Sequence, residues 1–492
     1  MKNLFLVLTT GWISLSSLLH AQPCKQVIGY YPDWQWYDRS QLVNPMTIDY
    51  SKYTIINYCF FQPMPNGTIA LGDSWAEQNL LQGQFNWSTN QYIPNTSIVD
   101  RAHNANAKVL VSIGGWTWSN NFPAIASDPV KRATFAHDCN YYVNFYNLDG
   151  IDIDWEYPGY APHGGSPADA GNFTLLMRQI RDSLDALELQ HNEQYLLTAA
   201  VGASPANMSN VQWNNIVPLL DMINLMSYDF FGAWDANANH NSPLYAPACG
   251  DPSFNIDSAF RALTTVYGVP ANKINIGVAF YGRTQSGSTS LCGPTNGQAA
   301  VNAFPPDGVP LYYDIHNNIS SYTRNWDSNA EVPYLTGNGI FVSYDDEESI
   351  SKKADYINAN GACGAIIWEI TGDYIETAPG SGVIAGTPLA DTLNAVFCQN
   401  PTLNVNEPLQ NNSLQLFPVP ANDQLNISGL NPVTTNTIVR VMDLSGRTVM
   451  EENRTVNGGN VQLNISGLSA GTYILQVLSD GNIATEKFTV QK

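Results

Sequence analysis

Eight short apolar runs, set apart by longer helix-like stretches, constrain this chain more than any other feature. They are VIGYY (27–31), YTIINYCFF (53–61), KVLVSIGG (108–115), GIDID (150–154), YLLTAAV (195–201), MINLMSY (222–228), INIGVAF (274–280) and GAIIWEI (364–370). None alternates cleanly between polar and apolar residues, which is the pattern of strands buried on both faces, as in parallel sheets. The stretches between them carry helical periodicity. In FTLLMRQIRDSLDAL (173–187), Leu176, Ile180, Leu184 and Leu187 fall on one helical face. Eight βα units predict an α/β fold, a (β/α)8 TIM barrel. A doubly wound sheet is the alternative, but no Gly-x-Gly-x-x-Gly follows the first run.

Three regions stand apart from this pattern. The first 21 residues, with Lys2 ahead of an apolar stretch and Leu19 and Ala21 at the cleavage positions, read as a secretory signal peptide cut before Gln22. A membrane anchor fits less well, because Thr9, Thr10, Gly11 and several serines interrupt the stretch. Residues 283–340 are too long for a βα connection and contain the strand-like LYYDI (311–315). They predict a small α+β subdomain inserted into a barrel spanning 22–399. Residues 400–412 are polar and proline-bearing, like a linker. Beyond them, 413–492 consists of short alternating runs separated by Gly, Asn and Asp turns, the pattern of a small all-β sandwich.

The formal net charge of −21 and sequence pI of about 4.5 make nucleic acid and anionic membrane poor partners, and leave neutral substrates open. With 12 Trp and 25 Tyr, the chain has material for stacking surfaces. Seven cysteines are too few and too scattered for a disulfide scaffold. Cys249 and Cys292, both in loop-like sequence, are the pair expected to bridge, and Cys59 and Cys363 read as buried small hydrophobes. No CxxC or paired-histidine spacing suggests a zinc site, and no cofactor is expected.

One run departs from packing logic. LDGIDIDWEYP (148–158) sets Asp149, Asp152, Asp154 and Glu156 within eight positions of an apolar stretch. Residues two apart on a strand face the same way, so Asp152, Asp154 and Glu156 should share the barrel interior, with Glu156 last, at the C-terminal mouth. Crowded carboxyls out of water cannot all ionise cheaply. One proton should be shared, and the outermost acid should have a raised pKa, as a general acid near neutrality requires. A calcium loop counted from Asp152 fails, since Tyr157 and His163 occupy the positions of its Gly and Glu. A magnesium site and a solvated strand end stay open as alternatives. A carboxyl pair at a pocket mouth suggests glycoside hydrolysis, and spacing alone leaves Asp154 as nucleophile, base or orienting group.

These residues resemble glycoside hydrolase family 18, the chitinases. The family's DxxDxDxE stands as Asp149, Asp152, Asp154 and Glu156, and its SxGG as Ser112, Ile113, Gly114 and Gly115, followed by Trp116. MSYDFFGAWD (226–235), VAFYGR (278–283) and GAIIWE (364–369) are similar to three further motifs, and the insertion to the chitinase insertion domain. The resemblance implies that Glu156 protonates the glycosidic oxygen and Asp154 hydrogen-bonds the substrate's N-acetyl nitrogen. The acetamido oxygen itself is then the nucleophile. Asp152, held by Ser112 and Tyr30, would share a proton with Asp154, and Tyr228 would hold the acetamide oxygen. Asp229 and Arg283 would bind sugar oxygens, with Tyr157 and Met226 also lining the substrate. Trp368 would form the floor, and Trp116 and Trp234 would stack on the product side. Asp149, Gly114 and Gly115 would be structural.

The tail resembles a type A C-terminal sorting domain of the type IX secretion pathway, through FPVPAND (417–423), VMDLSGRTV (441–449) and GTYILQV (471–477). Phe417 and Val419 depart from its usual Tyr-Pro-Asn-Pro-Ala opening. A carbohydrate-binding sandwich is the rival, and the tail's lack of Trp counts against it. The resulting expectation is a secreted, monomeric endo-chitinase, extracellular or at the cell surface. Its partners would be chitin, chitin oligosaccharides and the secretion machinery. The alternatives are an endo-β-N-acetylglucosaminidase on other glycans and a non-catalytic chitin-binding lectin.

Overall fold

The computed structural model describes residues 25–398, 415–428, 437–442, 448–454, 456, 460–479 and 482–492. The expected signal peptide and linker lie outside the described residues. Two compact units divide the chain, Met1–Gln399 and Asn400–Lys492.

All eight apolar runs are strands of one parallel sheet: β1 (Gln26–Pro32), β2 (Ile55–Pro63), β3 (Lys108–Gly114), β4 (Gly150–Asp154), β5 (Leu196–Gly202), β6 (Met222–Met226), β7 (Ile274–Ala279) and β8 (Gly364–Trp368). Each pairs with its sequence neighbour, β8 pairs with β1, and the sheet closes into a barrel. Outward residues such as Val109, Ile151, Ile153, Leu197 and Ile276 pack against the helices. The helix Asp169–His191 contributes Leu176, Ile180, Leu184 and Leu187 to that layer, all buried. Because both faces of every strand are covered, the runs are mostly apolar, and the few polar residues buried in the strands face the barrel interior.

The interior is layered. At the bottom Ile28, Ile55, Leu110, Met222 and Ile366 form an apolar plug. Above it lies a band of polar residues with no solvent exposure: Asn57, Ser112, Asp152, Thr198, Asn224 and Asn275. Asp154, Met226 and Trp368 open the mouth above this band. Asp149 lies at the opposite end. It accepts the Val109 backbone N–H (2.7 Å) and contacts His103 Nε2 (2.8 Å), tying β3 to the start of β4.

Between β7 and β8 stands a four-stranded antiparallel sheet of Arg283–Ser286, Ile340–Ser343, Val332–Gly337 and Thr323–Asp327, in that order. Its last strand continues to Ser343, past the expected boundary. LYYDI, read as strand-like, is helical: Tyr312–Asn318 forms one short helix. Tyr312 and Ile315, three apart, are its two buried residues, so the apolar pair belongs to a helical face and not to a strand. Cys59 is buried as expected, whereas Cys363 is only half-buried.

The second unit pairs Gln415–Phe417, Gln424–Ser428 and Asn460–Asn464 in one antiparallel sheet. A second sheet joins Thr448–Arg454, Thr437–Met442, Gly471–Ser479 and Asn482–Val490. Leu425, Ile427, Val439, Val441, Leu463, Leu475, Val477 and Phe488 form its separate core. The alternation is plain at Leu425/Ile427 and Val461/Leu463, as one-sided burial requires.

Cys249 and Cys292 are joined, closing a loop between residues 43 apart in sequence. A loop of that length is worth about 4 kcal/mol in the chain-entropy view, and measured values for native bridges run roughly 2–5 kcal/mol. The double variant Cys249→Ser/Cys292→Ser should therefore lower the midpoint of urea denaturation by the equivalent of 2 kcal/mol or more. An unchanged midpoint would show that this bridge does not constrain the unfolded chain.

Candidate active site

The three acids of β4 and its exit meet three different environments. Asp152 is fully buried. Its Oδ2 accepts hydrogen bonds from the Tyr30 hydroxyl (2.9 Å) and Ser112 Oγ (2.7 Å). Its Oδ1 accepts from Thr198 Oγ1 and from Asn224 Nδ2 (3.1 Å). Asn275 Nδ2 in turn donates to Asn224 Oδ1 (3.0 Å). Burial raises the Asp152 pKa, and these four hydrogen bonds work against that rise by favouring the carboxylate.

Asp154 is also buried, but its Oδ1 has no hydrogen-bond partner among the described residues. Burial, then the charges of Glu156 and Asp152, hold its pKa well above the usual range. Asp154 therefore keeps its proton while the donor-rich Asp152 is the better anion. Strand β4 ends at Asp154, so half-buried Glu156 lies on the exit loop and not on the strand. Burial pushes its carboxyl up to about 7. A hydrogen bond with the Tyr157 side chain opposes this rise, the charge of Asp229 adds to it, and the Trp116 backbone opposes it. The three acids thus differ in environment: Asp152 is supplied with donors, Asp154 is buried beside two other carboxyls, and Glu156 is raised at the mouth.

Ser119, absent from the sequence reading, pins that acid. The Glu156 backbone N–H donates to Ser119 Oγ (2.8 Å), and Ser119 Oγ donates to the Gly115 carbonyl (2.8 Å). Gly114 and Gly115 make this turn. Gly114 has φ +115°, and a Cβ there would sit 2.3 Å from the Asp154 carbonyl oxygen.

Across the mouth, Asp229 adopts φ +57°, a left-handed conformation uncommon outside glycine. Its backbone N–H donates to Asn241 Oδ1 (2.9 Å). Its carboxylate accepts from the Tyr281 hydroxyl (2.5 Å), from Arg283 Nε (2.8 Å) and from an Arg283 Nη (2.7 Å), the two-pronged geometry of a strong ion pair. Asn241 N–H donates to Ser343 Oγ (2.7 Å), so the segment that holds Asp229 also ties down the inserted sheet. Lys353 reinforces this joint, donating to Asp345 (2.6 Å) and Ser242 Oγ (2.9 Å). Half-buried Tyr228 packs edge-on to Tyr281 at 6.1 Å.

Aromatic rings surround the acids. Trp368 stacks on Phe60 (5.8 Å, 22°) and also meets Tyr30 (5.8 Å) and Trp34 (6.4 Å). Trp34, Trp116 and Trp234 are 48%, 53% and 59% exposed, far more than core tryptophans, and so present open faces. The Arg283 guanidinium lies 5.3 Å from the Trp234 ring centre. Tyr157 stands edge-on to Tyr160 at 6.3 Å, and buried Met226 packs in the interior cluster with Trp368 and Tyr228. Asp149, as noted, is remote from this mouth. The sequence reading missed Trp34, Phe60, Ser119, Thr198, Asn224, Asn241, Asn275 and Tyr281. Among the described residues, no group of three or more His, Cys, Asp or Glu is arranged to hold a metal ion.

A parallel barrel with a graded column of carboxyls and open tryptophans at its C-terminal mouth is the working arrangement of a barrel glycoside hydrolase. Residues 26–373 match the family Glycosyl hydrolases family 18, and this chain belongs to that family. Residues 415–491 match the secretion system C-terminal sorting domain, so the second unit is an export-sorting module. The chain is 35% identical over 404 residues to Chitinase A1 of Niallia circulans, covering 72% of this chain and 57% of that protein. It is 31% identical over 362 residues to Endochitinase 1 of Metarhizium robertsii, covering 70% and 80%. The structure of the Ostrinia furnacalis Group IV chitinase in complex with allosamidin superposes with a TM-score of 0.66 at 28% identity, over 76% of this chain and 98% of that one. The chain thus spans little more than half the length of Chitinase A1. No helix among the described residues is long and apolar enough to cross a membrane.

Gly114→Ala should cost roughly 1–3 kcal/mol of stability from the backbone conformation alone. It should also lower hydrolytic activity, because the added carbon presses on the backbone of Asp154. Denaturation midpoints and turnover measured together test this, and a wild-type-like variant on both counts would contradict it.

Proposed function

We propose that this protein is an exported chitinase that hydrolyses β-1,4 linkages between N-acetylglucosamine units with retention of configuration. The observation that carries the reading is the contrast along the acid column. Asp152 is supplied with four donors, Asp154 has a buried oxygen with no partner among the described residues, and Glu156 is pushed up to about 7.

In this reading Glu156 protonates the leaving oxygen, and its raised pKa keeps that proton available near neutrality. The free Oδ1 of Asp154 is suited to an acetamide N–H, which would align the acetamide oxygen for attack on the anomeric carbon. As Asp154 turns to the substrate, negative charge on the Asp152–Asp154 pair offsets the cation forming on the substrate. The Tyr228 hydroxyl is suited to hold the acetamide oxygen, and Asp229 with Arg283 to meet sugar hydroxyls. Trp368 over Phe60 gives a flat floor, and Trp116 and Trp234 give platforms for neighbouring sugars. Substrate assistance removes the need for a second carboxylate nucleophile, so Asp154 is an orienting group. Export follows the sorting module, with an N-terminal signal peptide and a processed C-terminal unit as the finer reading.

The test is a time course of products from the N-acetylglucosamine hexamer with anomers resolved, for wild type and Glu156→Gln. Short β-anomeric products from wild type are expected. Glu156→Gln should lose turnover by on the order of 10²–10⁴-fold while still binding the oligomer. α-Anomeric products would exclude retention, and a fully active Glu156→Gln would remove the acid assignment. If wild type binds without cleaving, the protein is a lectin.

The sign of the pH dependence follows from the same residue. Glu156 must carry its proton, which it does below about 7, so kcat/KM should fall on the basic side with a midpoint near pH 7. A plateau extending past pH 9 would mean that another group supplies the proton.

A further inference from the structure

The loop after Glu156 carries a contact that the catalytic reading does not use. His163 ends a single helical turn, Ala161–His163, and Gly164 at φ +75° follows it. Its Nδ1 lies 2.7 Å from the backbone carbonyl oxygen of Glu156. A carbonyl can only accept, so Nδ1 carries the proton and donates it. Together with Ser119, which accepts the Glu156 N–H, this leaves both backbone polar groups of the acid held by side chains, one from the loop after β3 and one from farther along its own loop.

The same imidazole ring meets Trp116 at 4.6 Å and Tyr160 at 5.2 Å, while Trp116 also touches Tyr160 at 5.8 Å. The loop is anchored at both ends by buried Asp169, whose Oδ2 accepts the backbone N–H groups of Gly159 (3.0 Å) and Ser166 (2.9 Å). His163 therefore stands on a fixed loop with one edge on the acid's backbone and its ring against an open aromatic face.

We propose that His163 is a positioning residue that couples occupancy of the Trp116 face to the placement of Glu156. This rests on the roles given above to Glu156 and Trp116. A sugar stacked on Trp116 confines that indole, the indole confines the imidazole, and the Nδ1–H bond confines the acid's peptide. The gain is realised in the transition state, as the proton moves, so it falls in kcat rather than KM.

Two substitutions separate the hydrogen bond from the ring. His163→Asn keeps an N–H donor near the position of Nδ1 and discards the ring, whereas His163→Phe keeps the ring and discards the donor. Steady-state kinetics on the hexamer should show kcat reduced about fivefold to tenfold in His163→Phe, with KM little changed. His163→Asn should retain kcat to within about threefold. In a Trp116→Ala background, the further loss from His163→Phe should shrink by at least half, since the face that drives the coupling is gone.

The reverse order, with His163→Phe near wild type and His163→Asn impaired, would show that the ring only packs the loop and would overturn the proposal. So would equal losses in both variants, or a His163→Phe loss that is undiminished by Trp116→Ala. If wild type fails to cleave the hexamer at all, the functional reading falls and this proposal falls with it. If wild type cleaves and the ordering fails, only the coupling is lost.

Discussion

A single buried carboxylate organises the barrel. Asp152 has no solvent exposure, and an unpaired ion in such a place would carry a desolvation penalty of several kcal/mol. The penalty is met by donors from four strands: Tyr30 on β1, Ser112 on β3, Thr198 on β5 and Asn224 on β6. None of these can be apolar while Asp152 remains. Apart from Asn57, the polar band across the interior, extended by Asn275 behind Asn224, is tied to that one residue. An all-hydrophobic filling would serve stability at least as well, so the band is maintained for what lies above it.

What lies above is a column in which each acid's environment fixes the next. Donors concentrated on Asp152 leave Asp154 Oδ1 without a partner among the described residues, and the charge between them favours a proton in the pair. Glu156, beyond the strand end, meets the fields of Asp154 and Asp229. Asp229 in turn holds a left-handed backbone, with Asn241 accepting its N–H and Arg283 engaging its carboxylate. Strain at such a site persists where the surroundings over-determine it, and Asn241 in the β6–β7 connection, Ser343 on the inserted sheet, and Asp345 and Lys353 after that sheet supply that determination.

The parts legible in the sequence are those with a local period. Eight mostly apolar runs reveal a parallel barrel because strands buried on both faces lack polar/apolar alternation, and the i, i+2 spacing of Asp152 and Asp154 places both inside. The period fails where elements are short. LYYDI is equally compatible with either structure over five residues, and burial of Tyr312 and Ile315 decides for a helix. The same limit hides Trp34. DWQWY (33–37) offers two tryptophans, and only the fold buries Trp36 while leaving Trp34 open beside Trp368. Ser119, Asn241 and Tyr281 are unremarkable residues in their own segments. They acquire meaning from partners 37, 12 and 52 positions away, which no local pattern encodes.

This separation also divides the labour of the site. Protonation belongs to the barrel, where strand-borne donors and burial set which acid holds the proton. Placement of the acid belongs to the loops, since Glu156 lies past the end of β4 and is held by Ser119 and His163 from outside the sheet. Barrel interiors are packed and resist change, while βα loops accept it. The chemistry can therefore stay constant while loops are varied for different glycan lengths and shapes. If Glu156 is the proton donor proposed above, a loop substitution that left every carboxyl contact intact would still slow hydrolysis, by moving that acid a fraction of an ångström from the oxygen it protonates.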